Sequence, residues 1–413
     1  REEALAAIEE AATAYRKLAA ARPDAFLPDL AMSLNNLSIR LGEMGRREEA
    51  LAAIEEAATA YRKLAATHPD AFLPDLATSL NNFSVRLGEL GRREEALAAI
   101  EEAATAYRKL AAARPDAFLP DLATTLNNLS IRLGELRRHE DALAAIEEAV
   151  TVRRKLVAAR PDAFLPDLAG SLNNLSVRLG ELRRHEDALA AIEEAATAYR
   201  KLAAARPDAF LPDLAGNLNN LSVLLGELGR HEDALATIEE AATICRKLAA
   251  ARPDAFLPDL AAILNNLSIR LGELRRREDA LAAIEEAVTV RRKLAAAHPD
   301  AFLPDLASSL NNLSIRLGEL GRREDALAAI EEAVTVRRKL AAAHPDAFLP
   351  DLATSLNNFS VRLGELGRHE EALATIEEAV TIRRKLAATH PGIHQASLER
   401  SLRVLSWLQD GHP

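Results

Sequence analysis

The chain has 413 residues and a formal net charge of −10, with 17 Gly and 18 Pro but only 4 Tyr, 1 Trp, 2 Met and 1 Cys. A single cysteine, Cys245, excludes an internal disulfide or a cysteine metal cluster and fits a reducing, cytoplasmic setting. No apolar run approaches the ~18 residues that cross a bilayer, and the surplus of acid argues against a nucleic-acid backbone as partner.

The opening Arg1-Glu2-Glu3-Ala4-Leu5 starts a helix rather than a signal peptide, and the missing initiator Met suggests a piece of a longer protein. The same block recurs at Arg47, Arg93, His139, His185, His231, Arg277, Arg323 and His369. From Arg1 to Arg47 is a step of 46 residues, and nine such copies span 1–413 as one repeat array without a linker.

The second copy shows the elements in order. Ala50, Leu51, Ile54, Ala57, Ala58, Tyr61, Leu64 and Ala65 recur at spacings of three and four, one face of an amphipathic helix over 47–67, termed B. Glu48 and Glu49 in its first turn and Arg62 and Lys63 near its end match the helix dipole. His68-Pro69 stops it, because a residue before proline avoids the α region. A short turn, 69–73, is expected next. Pro74-Asp75 then opens a second helix, termed A, with proline at the first helical position, and Gly91 closes it. On helix A, Leu76, Leu80, Phe83, Leu87 and Leu90 form an apolar stripe, while Ala77, Asn81, Ser84, Gly88 and Gly91 form a stripe of small side chains that admits a neighbouring helix. Two buried stripes imply two helical neighbours, as stacking requires.

Leu80-x-x-Phe83-Ser84-x-x-Leu87, followed by Gly91-x-x-x-x-Ala96-Leu97-x-x-Ile100-x-x-Ala103, resembles the tetratricopeptide signature, with Leu80 where that family usually has Trp and Ser84 where it usually has Gly. The run Leu80-Asn81-Asn82-Phe83 after His68-Pro69-Asp70 is most similar to the kinesin-light-chain subgroup. It is also similar to repeats appended to signalling NTPases and caspase-like proteases of high-GC bacteria. The period exceeds the family's usual ~34 residues, and HEAT or armadillo repeats share such a length, but the Gly-x-x-x-x-Ala-Leu spacing disfavours them. The resemblance implies an all-α fold, a right-handed α-α superhelix of antiparallel helix pairs, whose A helices line an inner groove that binds a peptide or protein segment.

Candidate groove residues form a ladder: Asn36, Asn82, Asn128, Asn174, Asn220, Asn266, Asn312 and Asn358, each preceded by a second Asn. An amide side chain both donates and accepts, so it can hold a ligand's backbone or link neighbouring helices. Asn81 and its equivalents are expected to link helices; for Asn82 and its equivalents binding and spacing both stand open. A β-branched stripe runs beside them, Ile39, Val85, Ile131, Val177, Val223, Ile269, Ile315 and Val361, and is expected to pack on the adjacent A helix. Arg86 and Glu89 can pair at i, i+3 as a solvated, self-neutralised face. The middle copies carry Gly170, Gly216 and Leu224 where others have Thr78, Thr124 and Arg86. That exchange reflects either a locally wider groove or drift.

No catalytic or metal site is expected. The histidines, including His68 and His139, exchange with Arg in sister copies and read as surface residues, and no cluster of ligands converges. There is no glycine-rich phosphate loop, and no cofactor is implied. The last A helix, about Ser397 to Gln409, replaces the Asn pair by Arg403 and Val404 and carries Trp407, which reads as a cap. The first B helix has no such adaptation, so it is a candidate for self-association. Besides a peptide-binding scaffold, a sensor or spacer arm of a larger signalling protein and a self-assembling solenoid remain open.

Overall fold

The computed structural model describes residues 2–410, with side chains from Ala4 onward. Arg1, the expected start of the first copy, and 411–413 lie outside the described residues.

Eighteen helices and no strand are present among the described residues, gathered into two compact units, 1–205 and 206–413. The first unit holds α1 (Glu2–Ala21), α2 (Pro23–Glu43), α3 (Arg47–Thr67), α4 (Pro69–Glu89), α5 (Arg93–Ala113), α6 (Pro115–Glu135), α7 (His139–Ala159), α8 (Pro161–Glu181) and α9 (His185–Ala205). The second holds α10 (Pro207–Glu227), α11 (His231–Ala251), α12 (Pro253–Glu273), α13 (Arg277–Ala297), α14 (Pro299–Glu319), α15 (Arg323–Ala343), α16 (Pro345–Glu365), α17 (His369–Thr389) and α18 (Pro391–Gln409). Within each unit successive helices form an antiparallel solenoid in which every helix packs chiefly on the ones before and after it in sequence, and successive A helices touch only lightly.

Helix B spans 47–67 as its periodicity predicts, but helix A opens at Pro69, not Pro74. Pro69 takes the first helical position, and Pro74 lies inside the helix. The ring of Pro74 already has a helical φ, and its missing N–H removes only one bond, to the exposed Asp70. The expected turn over 69–73 is therefore helical, and His68 alone joins the helices at φ −135 and ψ 70. Its N–H donates to Leu64 at 2.8 Å, while its carbonyl accepts from Phe72 at 3.1 Å, so one residue closes one helix and starts the next. A ring at i+4 explains why His and Arg exchange here: Arg114 lies 4.8 Å over Phe118, and the His68 and Phe72 rings meet edge-on at 6.4 Å.

The return from A to B is a Schellman turn. Arg92 N–H bonds Leu87 O at 2.9 Å, Gly91 N–H bonds Gly88 O at 3.0 Å, and Gly91 sits at φ +73. In three copies arginine holds this left-handed position: Arg137, Arg183 and Arg275 at φ 58, 58 and 59. A Cβ there costs roughly 1 kcal/mol. Arg137→Gly and Arg183→Gly are each expected to stabilise the first unit by about that amount. A urea midpoint that stays put or falls in both variants contradicts this.

The core repeats with the sequence. Leu80, Leu87, Ile54 and Ala57 are fully buried, and Leu34, Leu126, Leu172, Leu218, Leu264, Leu310 and Leu356 occupy the Leu80 position at 0–1% exposure. Each such leucine contributes about 2 kcal/mol of apolar burial. Leucine thus fills the place expected of tryptophan in the resembling family.

Candidate functional site

The asparagine ladder exists in each unit, and it is built from both members of each Asn pair. In the first unit Asn82 Nδ2 donates to Asn35 Oδ1 at 3.3 Å, Asn128 to Asn81 at 3.0 Å, and Asn174 to Asn127 at 3.0 Å. In the second, Asn266 donates to Asn219, Asn312 to Asn265 and Asn358 to Asn311, each at 2.9 Å. Asn36 is exposed on α2, and Asn220 is half-buried on α10 in the same register. Asn81 links A helices as expected, and Asn82 takes part in the same link. The link uses one N–H of Asn82 and leaves its Oδ1 without a donor among the described residues, on a half-buried face. The same holds for Asn128, Asn174, Asn266, Asn312 and Asn358.

The β-branched stripe beside the ladder is not packed away, contrary to expectation. None of its eight members is buried, and Val177 is 37% exposed. The other seven are half-buried. The Arg86 column lies between neighbouring A helices. Arg86 pairs with Glu89 at 2.7 Å, but it is not solvated: its side chain is 16% exposed, against 53% for Arg40 on the first A helix. The guanidinium of Arg86 occupies the space where Gly42 of the preceding A helix lacks a Cβ. Gly88 seats Arg132 and Gly134 seats Arg178 in the first unit; Gly226, Gly272 and Gly318 seat Arg270, Arg316 and Arg362 in the second. The small stripe thus does two things: its glycines seat a guanidinium of the next A helix, and its serines meet the backbone of the next B helix, as where Ser222 Oγ donates to Ala234 O at 2.8 Å.

A third column was not legible in advance. On helix B the Tyr61 position holds tyrosine at 15, 61, 107 and 199, cysteine at 245, and arginine at 153, 291, 337 and 383. Each of these arginines is under 9% exposed. Arg291 Nη1 donates to Asp305 O and to Ser309 Oγ, both at 2.6 Å; Ser309 Oγ donates to Asn265 Oδ1 at 3.3 Å, which also accepts from Asn312. Arg153 joins Ser171 and Asn127 in the same way, and Arg383 joins Ser401 and Asn357. Arg153, Arg291 and Arg337 have their pKa lowered by burial, partly offset by the aspartates Asp167, Asp305 and Asp351. In the tyrosine copies burial instead pushes Tyr61 and Tyr107 up to about 12. The signal available beforehand was an arginine exchanging with tyrosine in the buried phase of a helix.

Gly170 and Gly216 stand one helical turn before Asn174 and Asn220, at the Thr78 register. That register borders the following B helix, where Thr78 Oγ1 meets Tyr107 Oη at 2.7 Å and a Cβ on Gly170 would lie 3.5 Å from Tyr199 Oη, whereas a Cβ on Gly216 would meet nothing within 4 Å. Leu224 is buried. Among the described residues no group of three or more His, Cys, Asp or Glu could hold a metal ion. His139 is not merely a surface residue, since its Nδ1 lies 3.0 Å from Glu181. The Cys245 thiol is pushed up to about 11 by burial, with Asp259 adding to the effect, which leaves it protonated and unreactive at neutral pH. No helix among the described residues is long and apolar enough to cross a membrane.

Comparison with known proteins gives the same architecture. A family model described as tetratricopeptide repeat matches residues 30–70, 76–113, 122–161, 168–205, 215–251, 260–300, 306–346 and 352–392. No curated protein matches. Among solved structures, BtubC (BKLC) from P. vanneervenii is 23% identical, with a TM-score of 0.50 over 61% of this chain and 94% of that one. The apo form of RapI is 12% identical, with a TM-score of 0.54 over 76% of this chain and 99% of that one. A Podosopora anserina chain assigned as a kinesin light chain, with nearly identical TPR-like repeats, is 18% identical at a TM-score of 0.44, over 54% and 98% of the two chains.

Proposed function

We propose, from the premise that the chain belongs to the tetratricopeptide repeat family, that it is a non-enzymatic scaffold whose asparagine face binds an extended peptide or protein segment. The observation that carries this reading is the column of amide oxygens without donors among the described residues, flanked by half-exposed valine and isoleucine. A main chain laid along it would give N–H groups to the amides and apolar side chains to the stripe. Three such amides per unit, at Asn82, Asn128 and Asn174 and again at Asn266, Asn312 and Asn358, with Asn36 and Asn220 in the same register, make the contact multivalent. The unbroken 46-residue period supports reading 1–413 as one array of such contacts.

A peptide array probed with the intact chain tests this. Binders are expected whose affinity falls about thirtyfold in Asn128→Ala/Asn174→Ala, from two lost hydrogen bonds of about 1 kcal/mol each. Asn81→Ala/Asn127→Ala breaks the same inter-helix links while leaving the groove-facing amides in place. If both variants weaken binding equally, the ladder only spaces helices and the proposal fails.

A further inference from the structure

The asparagine face ends differently in the second unit. Where α16 carries Thr354, Asn357, Asn358 and Val361, the same register of α18 carries Arg400, Arg403, Val404 and Trp407. Arg400, Arg403, Val404 and Trp407, with Val361, line one recess of about 300 Å³. Val361, Val404 and Trp407 are half-buried, and the Trp407 ring rests 3.5 Å from where a Cβ of Gly364 would be. Arg400 and Arg403 are exposed and make no ion pair with a described residue. Glu399, the acid adjoining Arg400, accepts instead from Gln395 at 3.2 Å.

The charge beneath the recess is also uncompensated. Arg383 is 4% exposed and donates to Ser397 O at 2.7 Å, to Ser401 Oγ at 2.5 Å and to Thr354 Oγ1 at 3.3 Å. Arg153, Arg291 and Arg337 each have an aspartate to offset their burial; at Arg383 that aspartate is replaced by Ser397, and the nearby charge is Arg400. Relative to α16, this register has lost an acid, Asp351, and gained two guanidiniums, in a chain whose net charge is −10. An aromatic and aliphatic floor under two unpaired guanidiniums suits a ligand that is both apolar and anionic.

We propose that this recess docks an acidic peptide segment, with an apolar side chain seated on Trp407, Val361 and Val404 and a neighbouring carboxylate held by Arg400 and Arg403. The site does not depend on the asparagine ladder, because Val404 stands where the amide would be.

Trp407 is the single tryptophan of the chain, so its fluorescence reports on this site in the intact protein. The probe is a capped pentapeptide alternating aspartate and leucine, titrated beside its asparagine–leucine counterpart. A saturable change in emission is expected with the acidic peptide, about tenfold weaker or more with the neutral one, as charge-assisted hydrogen bonds predict, and weaker at high salt. Arg400→Gln/Arg403→Gln, at two exposed positions, should abolish the difference between peptides with helicity unchanged, while Asn312→Ala should not. Equal responses to both peptides, or an undiminished response in the double variant, would overturn the assignment. So would an emission shift that follows protein concentration alone and disappears in that variant, since it would make a second copy the occupant.

Discussion

Leu126→Ala is expected to cost about 2–5 kcal/mol and to open the first unit locally rather than as a whole. Leu126 is fully buried on α6, which packs against α5 and α7, and a methyl-sized stub there leaves a cavity that helices held on both sides close only in part. Leu34, Leu80 and Leu172 keep their own layers intact. Stability in such an array is a sum over nearest-neighbour interfaces, so the loss should stay near its origin. Hydrogen exchange is the measurement: amides of α5, α6 and α7 should lose protection while those of α1 and α2 keep theirs. Uniform loss over all nine helices would show that the unit melts as one body and that the nearest-neighbour account is wrong.

Arg291→Glu is expected to cost about 3–5 kcal/mol, whereas Arg291→Tyr should be close to neutral. The arginine is 8% exposed, and both its acceptors, Asp305 O and Ser309 Oγ, are fixed by α14. A carboxylate there would face a carbonyl oxygen and lie near the Asp305 charge, buried without a cation. Tyrosine occupies this position in sister copies opposite unlike residues of the preceding A helix, Thr78 for Tyr107 at 2.7 Å and Gly170 for Tyr199, so the site accepts a neutral ring whatever stands there, and here it is Ala262. Urea unfolding followed by circular dichroism separates the cases. A Glu variant as stable as the Tyr variant would mean that the site is wetter than its burial indicates.

What the sequence made legible follows from periodicity. Helix B is legible to its ends because Ala50, Ile54, Ala57 and Tyr61 mark one face and His68-Pro69 can only stop it. The start of helix A is not legible in the same way, because the chain offers two prolines and both satisfy the rule for a first helical turn; that His68 alone suffices as connector shows only in the fold. The asparagine ladder was found, but its wiring was not, since an Asn–Asn bond spans 47 positions and leaves no local trace. The Gly88–Arg132 seat was missed for a related reason: a glycine among small residues suggests close backbones, and nothing in one helix shows that a side chain from the next copy will use the gap. The arginines at 153, 291, 337 and 383 were overlooked because a cation in a core phase contradicts the pattern by which cores are recognised.

The pairing of six of these glycines with an arginine of the next copy has an evolutionary corollary. Half of each such joint is written in one copy and half in its successor, in identical chemistry: Gly42 for Arg86, Gly88 for Arg132, Gly134 for Arg178; before the last A helix Gly364 meets Leu408 and Trp407 instead. An in-frame excision or duplication of one whole period inside either unit therefore rejoins a matching socket and plug, with no scar to repair. Length is the one property of this molecule that unequal recombination can alter freely, and each step would add or remove a single rung of amides.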